Sequence, residues 1–390
     1  DLAIYSIDDK GTADIDDAIS VELNEDKIIL GIHISNVARF ISKEGFLDNE
    51  AQNRGETVYF PEIVFDMFPH SLVEVKLTLN SGSKRLAISL FATFEKSDYK
   101  LVEYHFEQSI INVKKNLTYE EAEKTLTKTE WGKELIDLSM HLREKRIRNG
   151  AFIVQLPELK ISFDENNEMS INKNYMISLP HKVVSECMIL MNRLTAEYFK
   201  TNEIPALFRS QTQQIDEQAY ELDPKDVLFP TKVTKFLKPT RVVLSSKPHK
   251  SLGIDCYVQV TSPIRRYMDV ILQRQLIGYL TNGEICYSED ELESIFTKVS
   301  LNVREIKNSQ KSRHRFWLLK HFLISDIKKA VGYVSSVKDK RASVYIPEFL
   351  MELPLSNFGG KKYKEGEKLE VEFYNIDPLR RRISIKPVIK

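Results

Sequence analysis

The spacing of apolar residues changes twice along this chain, and this double change limits the folds open to it. In residues 1–110 the apolar residues form short strand-like blocks between turns, as in 27–34 (KIILGIHI) and 84–97 (KRLAISLFATFEKS). From about residue 118 the spacing is helical, and from about residue 330 it is strand-like again. This order predicts an α+β fold that is followed by a small all-β domain.

The helical region contains segments with the length and the end residues of helices. Thr118 is placed as an N-cap with acidic residues behind it, and Gly150 ends an amphipathic segment whose last turns are basic. The largely apolar segment 181–200 is expected to lie in the centre of the core. Predicted helices begin at Thr118 and cover 133–150, 181–200, 264–280 and 289–325.

The last of these helices and the strands after it are rich in basic residues. The helix carries a basic face that is either a solvated surface or a binding surface, made of Arg304, Lys307, Lys311, Arg313, Arg315 and Lys320. Five short strands after residue 330 predict an OB-type barrel, a fold that often binds single-stranded nucleic acid through aromatic and basic side chains. Candidates for such a surface are Tyr333, Tyr345, Phe358, Lys361, Lys362 and Arg380, Arg381 and Arg382.

Composition narrows the class of protein. Lys and Arg together number 56, as do Asp and Glu, so only local charge can indicate a nucleic-acid partner. The cysteines Cys187, Cys256 and Cys286 are too few and too scattered for a disulfide framework or a zinc cluster, which favours a reduced, cytoplasmic protein. The sequence has no apolar run of about 18 residues and no signal-peptide pattern, so we expect no membrane partner.

The segment IDDKGTADIDDAIS (7–20) places five aspartates within ten positions. Three explanations are open: a solvated loop, a calcium loop, or a catalytic site for a divalent metal. A calcium loop expects the motif D-x-D-x-D-G with a glutamate at its twelfth position, and the segment has neither feature. The apolar neighbours Ile7, Ile15 and Ile19 argue against a purely solvated loop, because they would hold the segment against a core.

Four of these aspartates, Asp8, Asp14, Asp16 and Asp17, follow the pattern D-x5-D-x-D-D. Hard carboxylate oxygens suit Mg²⁺, which keeps waters and takes further oxygens from a phosphate substrate. The pattern predicts a site for one or two Mg²⁺ ions, replaceable by Mn²⁺, that hydrolyses phosphodiesters.

Such a site also needs a cation for the charge that develops on the phosphoryl oxygens. The segment TSPIRRYMD (261–269) offers Arg265 and Arg266 at the predicted start of a helix. Taken alone, both could equally be ordinary surface arginines.

Together these segments resemble the ribonuclease II and ribonuclease R family, whose catalytic domain is called the RNB domain. The family's signature is Ile-Asp followed by D-x-D-D-A, here Ile7-Asp8 and DIDDA (14–18). The resemblance covers essentially the whole chain. Its further segments, in order, are GIHISNVARFI (31–41), LDNEAQNRGETVYFP (47–61), LREKRIRNGAF (142–152), SECMILMN (185–192), ALFRSQ (206–211) and YVQVTSPIRRYMD (257–269).

The resemblance implies a role for each aspartate and for one arginine. Asp8, Asp14 and Asp17 would be Mg²⁺ ligands. Asp16 would be the acid most critical for the chemical step, either as a ligand of the second metal or by positioning the water. Arg265 would contact the scissile phosphate.

The same resemblance implies a set of RNA-binding residues. Tyr59 would stack on the 3′-terminal base, and Phe152 is the candidate for the second aromatic of this base clamp. Glu186 would engage the terminal ribose and so favour RNA over DNA. Arg266, next to Arg265, belongs to the same RNA-binding set.

Some positions depart from the family pattern. Asn36 stands where an aspartate is usual, and residues 76–80 (KLTLN) replace the common L-C-S-L-N. Gln259 stands where many members have a histidine, and a glutamate that some members have near Lys311 is missing. None of these changes removes an expected metal ligand, and the last two are expected to alter the nucleotide pocket or the turnover.

Residues and resemblance together predict a monomeric 3′→5′ exoribonuclease with an RNB catalytic domain over 1–328 and an OB-fold RNA-binding domain over 329–390. Its strands and helices would surround a deep channel that single-stranded RNA enters 3′ end first, and hydrolysis would release 5′-nucleoside monophosphates. Two alternatives stay open. They are a catalytically impaired RNA-binding protein on the same fold and an unrelated Mg²⁺ phosphoesterase or DNA nuclease.

Overall fold

The computed structural model describes residues 2–164, 166–174, 177–338, 341–356 and 362–388, and combines strands and helices in the predicted order. The strands are β1 (Ile4–Asp8), β2 (Asp17–Leu23), β3 (Lys27–Ser35), β4 (Val58–Tyr59), β5 (Val64–Phe65), β6 (Lys84–Glu95), β7 (Leu101–Thr118), β8 (Glu158–Phe163), β9 (Met169–Asn174), β10 (Phe208–Ser210), β11 (Arg241–Val243), β12 (Lys329–Lys338), β13 (Arg341–Ile346), β14 (Met351–Pro354), β15 (Lys368–Asp377) and β16 (Arg382–Pro387). The helices are α1 (Phe46–Arg54), α2 (His70–Leu72), α3 (Tyr119–Lys128), α4 (Glu130–Arg148), α5 (Leu179–Thr201), α6 (Phe229–Val233), α7 (Tyr267–Asn282) and α8 (Glu289–Ile324).

Strands β1, β2, β3, β6 and β7 form a closed barrel, which the sequence pattern did not predict. Neighbours from β1 through β7 pair antiparallel, and a parallel pairing of β1 with β7 closes the barrel. The prediction of only short strands in residues 1–110 was wrong, since β6 has 12 residues and β7 has 18. β7 is long because residues 101–112 pair with β6 and residues 113–118 pair with β1.

The main core lies between the barrel and the helices that pack on it. Alternate residues of β3, which are Ile28, Leu30, Ile32 and Ile34, are at most 1% exposed, as expected for one face of a strand. They belong to the same apolar cluster as Leu194 and the other buried residues of α5. The prediction that segment 181–200 is a central core helix is therefore confirmed.

The turn between β1 and β2 lies at one end of the barrel and carries the aspartates. β1 ends at Asp8, which lies opposite Thr118 at the end of β7, and β2 begins at Asp17. Thr118 is the predicted N-cap of α3, where it forms a capping box with Glu121. The acids therefore sit where the barrel passes into the first helices.

Strands β12 to β16 form a five-stranded antiparallel sheet in the order β14-β13-β12-β15-β16. Its buried residues make a second core that also contains Leu319 and Phe322 of α8 and Ile161 of β8. The end of α8 and the β8–β9 hairpin thus pack into this sheet. The sheet begins at Lys329, and the division of the chain after residue 328 stays a prediction.

The aromatic surface predicted for this sheet needs a correction. Tyr345 is only 4% exposed, because its side chain belongs to the buried residues of the sheet, so it cannot stack on a ligand. The predicted Phe358 and Lys361 lie outside the described residues. Arg380, Arg381 and Arg382 are exposed, as predicted. Among the described residues, no helix is long and apolar enough to span a membrane.

Candidate functional site

A cavity of about 790 Å³ opens at the end of the barrel where β1 joins β2. The predicted site residues in it come from three distant parts of the chain: the turn after β1 with the strand ends beside it, strand β4 and the turn before α7. The predicted site residues that line this cavity are Asp8, Asp14, Asp16, Asp17, Tyr59 and Arg265.

Asp16 is buried and fixed by contacts to two other segments. Its Oδ1 accepts a hydrogen bond from the backbone N–H of Ile264 at 2.9 Å, and its carbonyl oxygen accepts one from the N–H of Ser35 at 2.8 Å. The Nε of Arg265 lies 3.5 Å from its Oδ2. These contacts hold the aspartate turn against the turn that carries the arginine.

Negative charge is under-compensated in this cavity. Burial raises the pKa of Asp16 well above its ordinary value, although the charge of Arg265 opposes the shift. Burial and the charge of Asp14 raise the pKa of Asp8 to about 6, while burial and the charge of Asp8 raise the pKa of Asp17 to about 7. One guanidinium does not balance these carboxylates, so an added cation would stabilise their charged forms.

The donor atoms of this cavity fit a magnesium ion that takes only one or two ligands from the protein. Asp8 Oδ2 and Asp16 Oδ2 are buried and have no hydrogen-bond partner, which is costly for a carboxylate unless a cation binds it. Within the described ranges, no group of three or more His, Cys, Asp or Glu side chains could hold a metal alone. Protein-bound Mg²⁺ commonly uses one or two carboxylates and completes its shell with water and substrate phosphate. The full set of four ligands stays a prediction.

Tyr59 is held beside the aspartates by side-chain and backbone contacts. Its hydroxyl donates a hydrogen bond to Asp14 Oδ2. The segment before it pairs with the arginine turn, since Thr57 N–H donates to the carbonyl of Arg265 at 3.0 Å and Tyr267 N–H donates to that of Gly55 at 2.9 Å. The side chain is 38% exposed, which leaves a ring face open to a base.

The two adjacent arginines have different surroundings. Arg266 donates two hydrogen bonds to Asp269, at 3.0 and 2.6 Å, and Asp269 also accepts one from Ser262 N–H at 2.9 Å. Arg266 is the N-cap residue of α7, so both arginines precede the helix. Its guanidinium braces the turn and lines a different cavity, which also contains the family departures Gln259 and Lys311. Its predicted contact with RNA stays a prediction.

Glu186 lies outside the aspartate cavity. It is 1% exposed, and its carboxylate accepts hydrogen bonds from Arg146 at 3.0 and 2.5 Å. The residue before it on α5, Ser185, lines the cavity that contains Phe152. A ribose contact by Glu186 stays a prediction, and it would require the pair with Arg146 to open.

Phe152 lines a cavity of about 400 Å³, where its ring meets Tyr220 edge-on at 4.8 Å. His181 lines both this cavity and the aspartate cavity, so the two adjoin. His181 stacks on Tyr119, with ring centroids 3.5 Å apart, and Tyr119 also lines the aspartate cavity. Neither ring was among the predicted site residues, because the segments that contain them have only helix signals. The position of Tyr119 depends on the register of β1 against β7, which has no local signal.

The predicted basic face of α8 is divided between different partners. Arg313 pairs with Glu62, and Arg315 contacts the sulfur of Met351 at 2.7 Å. These two side chains therefore brace α8 against its neighbours. Arg304, Lys307 and Lys311 are exposed and line the cavity of Arg266, and they do not face the aspartates.

Comparison with known proteins agrees with this geometry. The family described as RNB domain matches residues 1–282. A chloroplastic and mitochondrial ribonuclease II of Arabidopsis thaliana is 29% identical over all of this chain and 50% of its own length. Ribonuclease R of Chlamydia pneumoniae is 27% identical over 90% of this chain and 57% of its own length. The chain thus spans about half the length of the curated relatives it matches.

Solved structures share the fold. The apo form of Mycoplasma genitalium RNase R aligns with all of this chain and 71% of its own, at 20% identity and a TM-score of 0.86. The same protein was solved with ribose-methylated single-stranded RNA, at 19% identity and a TM-score of 0.86 over the same shares of both chains. Yeast Ssd1, described as a pseudonuclease, covers 98% of this chain and 51% of its own, at 18% identity and a TM-score of 0.75. Because the RNB description matches well over half of the chain and the resemblance seen in the motifs is thereby confirmed, this protein belongs to the RNB-domain family.

Proposed function

We propose that this protein is a Mg²⁺-dependent exoribonuclease that hydrolyses single-stranded RNA from its 3′ end and releases 5′-nucleoside monophosphates. The observation that carries the proposal is the meeting of four aspartates, Arg265 and Tyr59 in one cavity. Family membership and the likeness to an RNase R solved with RNA support RNA as the substrate.

Each residue of the cavity has a task in this proposal. Bound Mg²⁺, or Mn²⁺ in its place, supplies positive charge and an activated water for attack on phosphorus. Asp8 and Asp16 offer the carboxylate oxygens that lack partners, and the Ile264 N–H fixes Asp16 toward the cavity. Arg265 donates hydrogen bonds to the phosphoryl oxygens as charge builds on them. Tyr59 stacks on the terminal base, a contact that stabilises any base by about 1–3 kcal/mol.

The five-stranded sheet is proposed to be an OB-type RNA-binding domain. Its strand order and the exposed Arg380, Arg381 and Arg382 support this assignment. Cations on such a surface attract the phosphate backbone without reading its sequence. The domain would hold the strand while the 3′ end reaches the aspartate cavity.

The test uses RNA and DNA of one sequence, labelled at the 5′ end in one sample and along the whole strand in another, with Mg²⁺ and with excess EDTA. We expect progressive shortening of the RNA with mononucleotides as the product, only with the metal, and no shortening when the 3′ end is blocked. The absence of Mg²⁺-dependent mononucleotide release from 3′-accessible RNA would contradict the proposal. Equal cleavage of DNA would indicate a general phosphodiesterase.

The likeness to a pseudonuclease defines a second outcome of this assay. Yeast Ssd1 has this fold and is described as a pseudonuclease, so the fold alone does not establish cleavage. RNA binding without cleavage in the same assay would assign the chain to that class. The presence of Asp8, Asp14, Asp16, Asp17 and Arg265 in one cavity favours the active enzyme.

A further inference from the structure

A second cavity, of about 430 Å³, lies on the other side of the arginine turn. Arg265 lines the aspartate cavity and Arg266 lines this one, and the two cavities share no lining residue. The backbone of Arg266 is extended, with φ −135° and ψ 117°, and successive side chains of extended backbone point to opposite sides. One short turn therefore separates two cavities of opposite charge.

The inner wall of this cavity is apolar. Leu207, Leu272 and Val299 are buried there, and Phe296 adds a half-buried aromatic ring. The volume falls within the range of about 300–1,000 Å³ that is usual for small-molecule sites. The wall can therefore bury the flat, weakly polar part of a ligand.

The mouth of the cavity is basic. Arg304, Lys307 and Lys311 follow one face of α8 at spacings of three and four residues. All three are exposed, and none forms a salt bridge with another residue of the described ranges. Their charge is available to an anion that enters the cavity.

The deeper polar groups lack a full set of counter-charges. Arg209 donates a hydrogen bond to the side-chain oxygen of Gln259, and burial together with the charge of Arg266 lowers the pKa of Arg209. Asp269 is already bound by Arg266, which leaves Glu56 as the acid on this wall that has no such partner. Burial raises the pKa of Glu56 against the charge of Lys307, which weakens its role as a counter-ion. The cavity has a surplus of positive charge next to an apolar pocket.

We infer that this cavity binds a free nucleoside monophosphate, with its phosphate at the mouth on Lys307 and Lys311 and its base against Phe296 and the apolar wall. A phosphate alone would leave the apolar wall unused, and a nucleoside alone would leave the cations unused. Gln259 offers the N–H₂ of its side-chain amide as a donor to a base edge, since its oxygen accepts a hydrogen bond from Arg209. This inference does not rest on the proposed nuclease activity, because it concerns a cavity separate from the aspartates.

Isothermal titration of the full chain with 5′-AMP, in EDTA, tests the inference without any RNA cleavage. We expect saturable binding of one equivalent that is weakened about 10-fold or more by the charge reversals Lys307→Glu and Lys311→Glu together. Ser300→Trp, which fills the cavity without removing charge, is expected to abolish binding. The matched control is Lys298→Glu, an exposed lysine of the same helix that does not line the cavity, and it should bind 5′-AMP as the parent does.

Other ligands and one further variant decide between the alternatives. Adenosine and inorganic phosphate should each bind more weakly than 5′-AMP, and phosphate binding equal to that of 5′-AMP would overturn the nucleotide assignment. Tighter binding of a dinucleotide would overturn the choice of a free mononucleotide in favour of an RNA strand. Unchanged binding in both cavity variants, or its loss in Asp16→Asn, would place the ligand elsewhere and overturn the inference. If the protein binds 5′-AMP but does not cleave RNA, only the proposed nuclease activity is contradicted.

Discussion

The carboxylate of Asp16 accepts a hydrogen bond at 2.9 Å from the backbone N–H of Ile264, a residue 248 positions later in the chain. This contact joins the turn that carries the aspartates to the turn that carries Arg265. It uses Oδ1 and leaves the buried Oδ2 without a hydrogen bond, beside the guanidinium of Arg265. The carboxylate of Asp16 thus joins the two turns through Oδ1 and leaves Oδ2 available in the cavity.

Asp16→Asn separates these two tasks. The amide oxygen can still accept from Ile264, so RNA affinity and the melting temperature should stay near those of the parent. The lost negative charge would weaken the proposed metal site, and we expect the cleavage rate to fall by at least about 100-fold. Asp26→Asn is the control, because Asp26 is exposed, lies between β2 and β3 and does not line the cavity. Asp16→Asn with more than a few per cent of the parental rate would show that Asp16 is misassigned.

Arg265→Lys keeps the positive charge but loses the planar fork that fits a phosphate. We expect kcat to fall by about 100-fold with little change in stability, because Arg265 is partly exposed. Arg266→Lys is the matched change, and it should lower the free energy of unfolding by about 2 kcal/mol through its bonds to Asp269. Single-turnover kinetics and urea unfolding of both variants measure the two effects. If instead Arg266→Lys lowers kcat and Arg265→Lys lowers the free energy of unfolding, the roles of the two arginines are the reverse of those assigned.

Glu186→Gln tests whether this carboxylate stabilises the protein or reads the ribose. The change leaves the guanidinium of Arg146 buried without its anion, and we expect a loss of about 3–5 kcal/mol in the free energy of unfolding. Glu197→Gln, in a half-buried pair with Arg193 on the same helix, is more accessible to solvent than Glu186 and should cost only about 1 kcal/mol. A ribose contact would instead appear as weaker preference for RNA over DNA at unchanged stability.

The contribution of the five-stranded sheet to RNA binding is best tested by substitution. Deletion from Lys329 would expose Leu319 and Phe322 of α8, which pack in the core of that sheet. Replacing Arg380, Arg381 and Arg382 with glutamine should lower RNA affinity. The slope of log affinity against log salt should decrease by about 0.7 for each phosphate that is no longer neutralised. Lys100→Gln, in the exposed turn between β6 and β7, is the control, and a triple variant with an unchanged slope would exclude this surface.

His33 gives a pH dependence of stability. It is buried between Ser20, at 3.0 Å from Nε2, and Ser89, at 2.7 Å from Nδ1, and burial lowers its pKa from 6.5 to about 4. Between pH 6.5 and 4, His33 binds a proton in the unfolded chain but stays neutral in the folded protein. The free energy of unfolding therefore falls as the pH drops from 6.5 to 4, by about 3 kcal/mol relative to a variant that cannot titrate.

His33→Gln supplies that variant. Urea unfolding of both proteins between pH 4 and 7 should show that the parent loses about 3 kcal/mol more than the variant as the pH falls. Parallel curves over this range would mean that His33 has an ordinary pKa. The comparison cancels the contributions of other titrating groups, because both proteins contain them.

The local signals in the sequence predicted the elements well. The predicted 289–325 is α8 (Glu289–Ile324), and Thr118 caps α3 as expected, because caps and periodicity act over a few residues. The predicted 264–280 is α7 (Tyr267–Asn282), which begins after both arginines. The five strands after residue 330 are all present.

What sequence reasoning could not supply depends on pairing between distant segments. Closure of the barrel rests on the register of Asp8 opposite Thr118, and neither residue carries a local signal for it. The same register brings Tyr119, the residue after Thr118, to the cavity. Glu186 and Ser185 are neighbours on one helix, and a rotation of about 100° per residue directs them to different cavities, Ser185 to that of Phe152 and Glu186 to another. Such rotations follow from packing, which the pattern of apolar residues fixes only coarsely.

The parts of the site are synthesised at different times, because all the barrel strands precede the arginine turn in the chain. All five barrel strands lie within residues 1–118, so a nascent chain can complete the barrel and its aspartates early. Ile264 and Arg265 leave the ribosome well over one hundred residues later. Until then Asp16 lacks the backbone partner that fixes it and the guanidinium beside it. A newly made chain therefore contains the aspartates of the cavity before the residues that complete it.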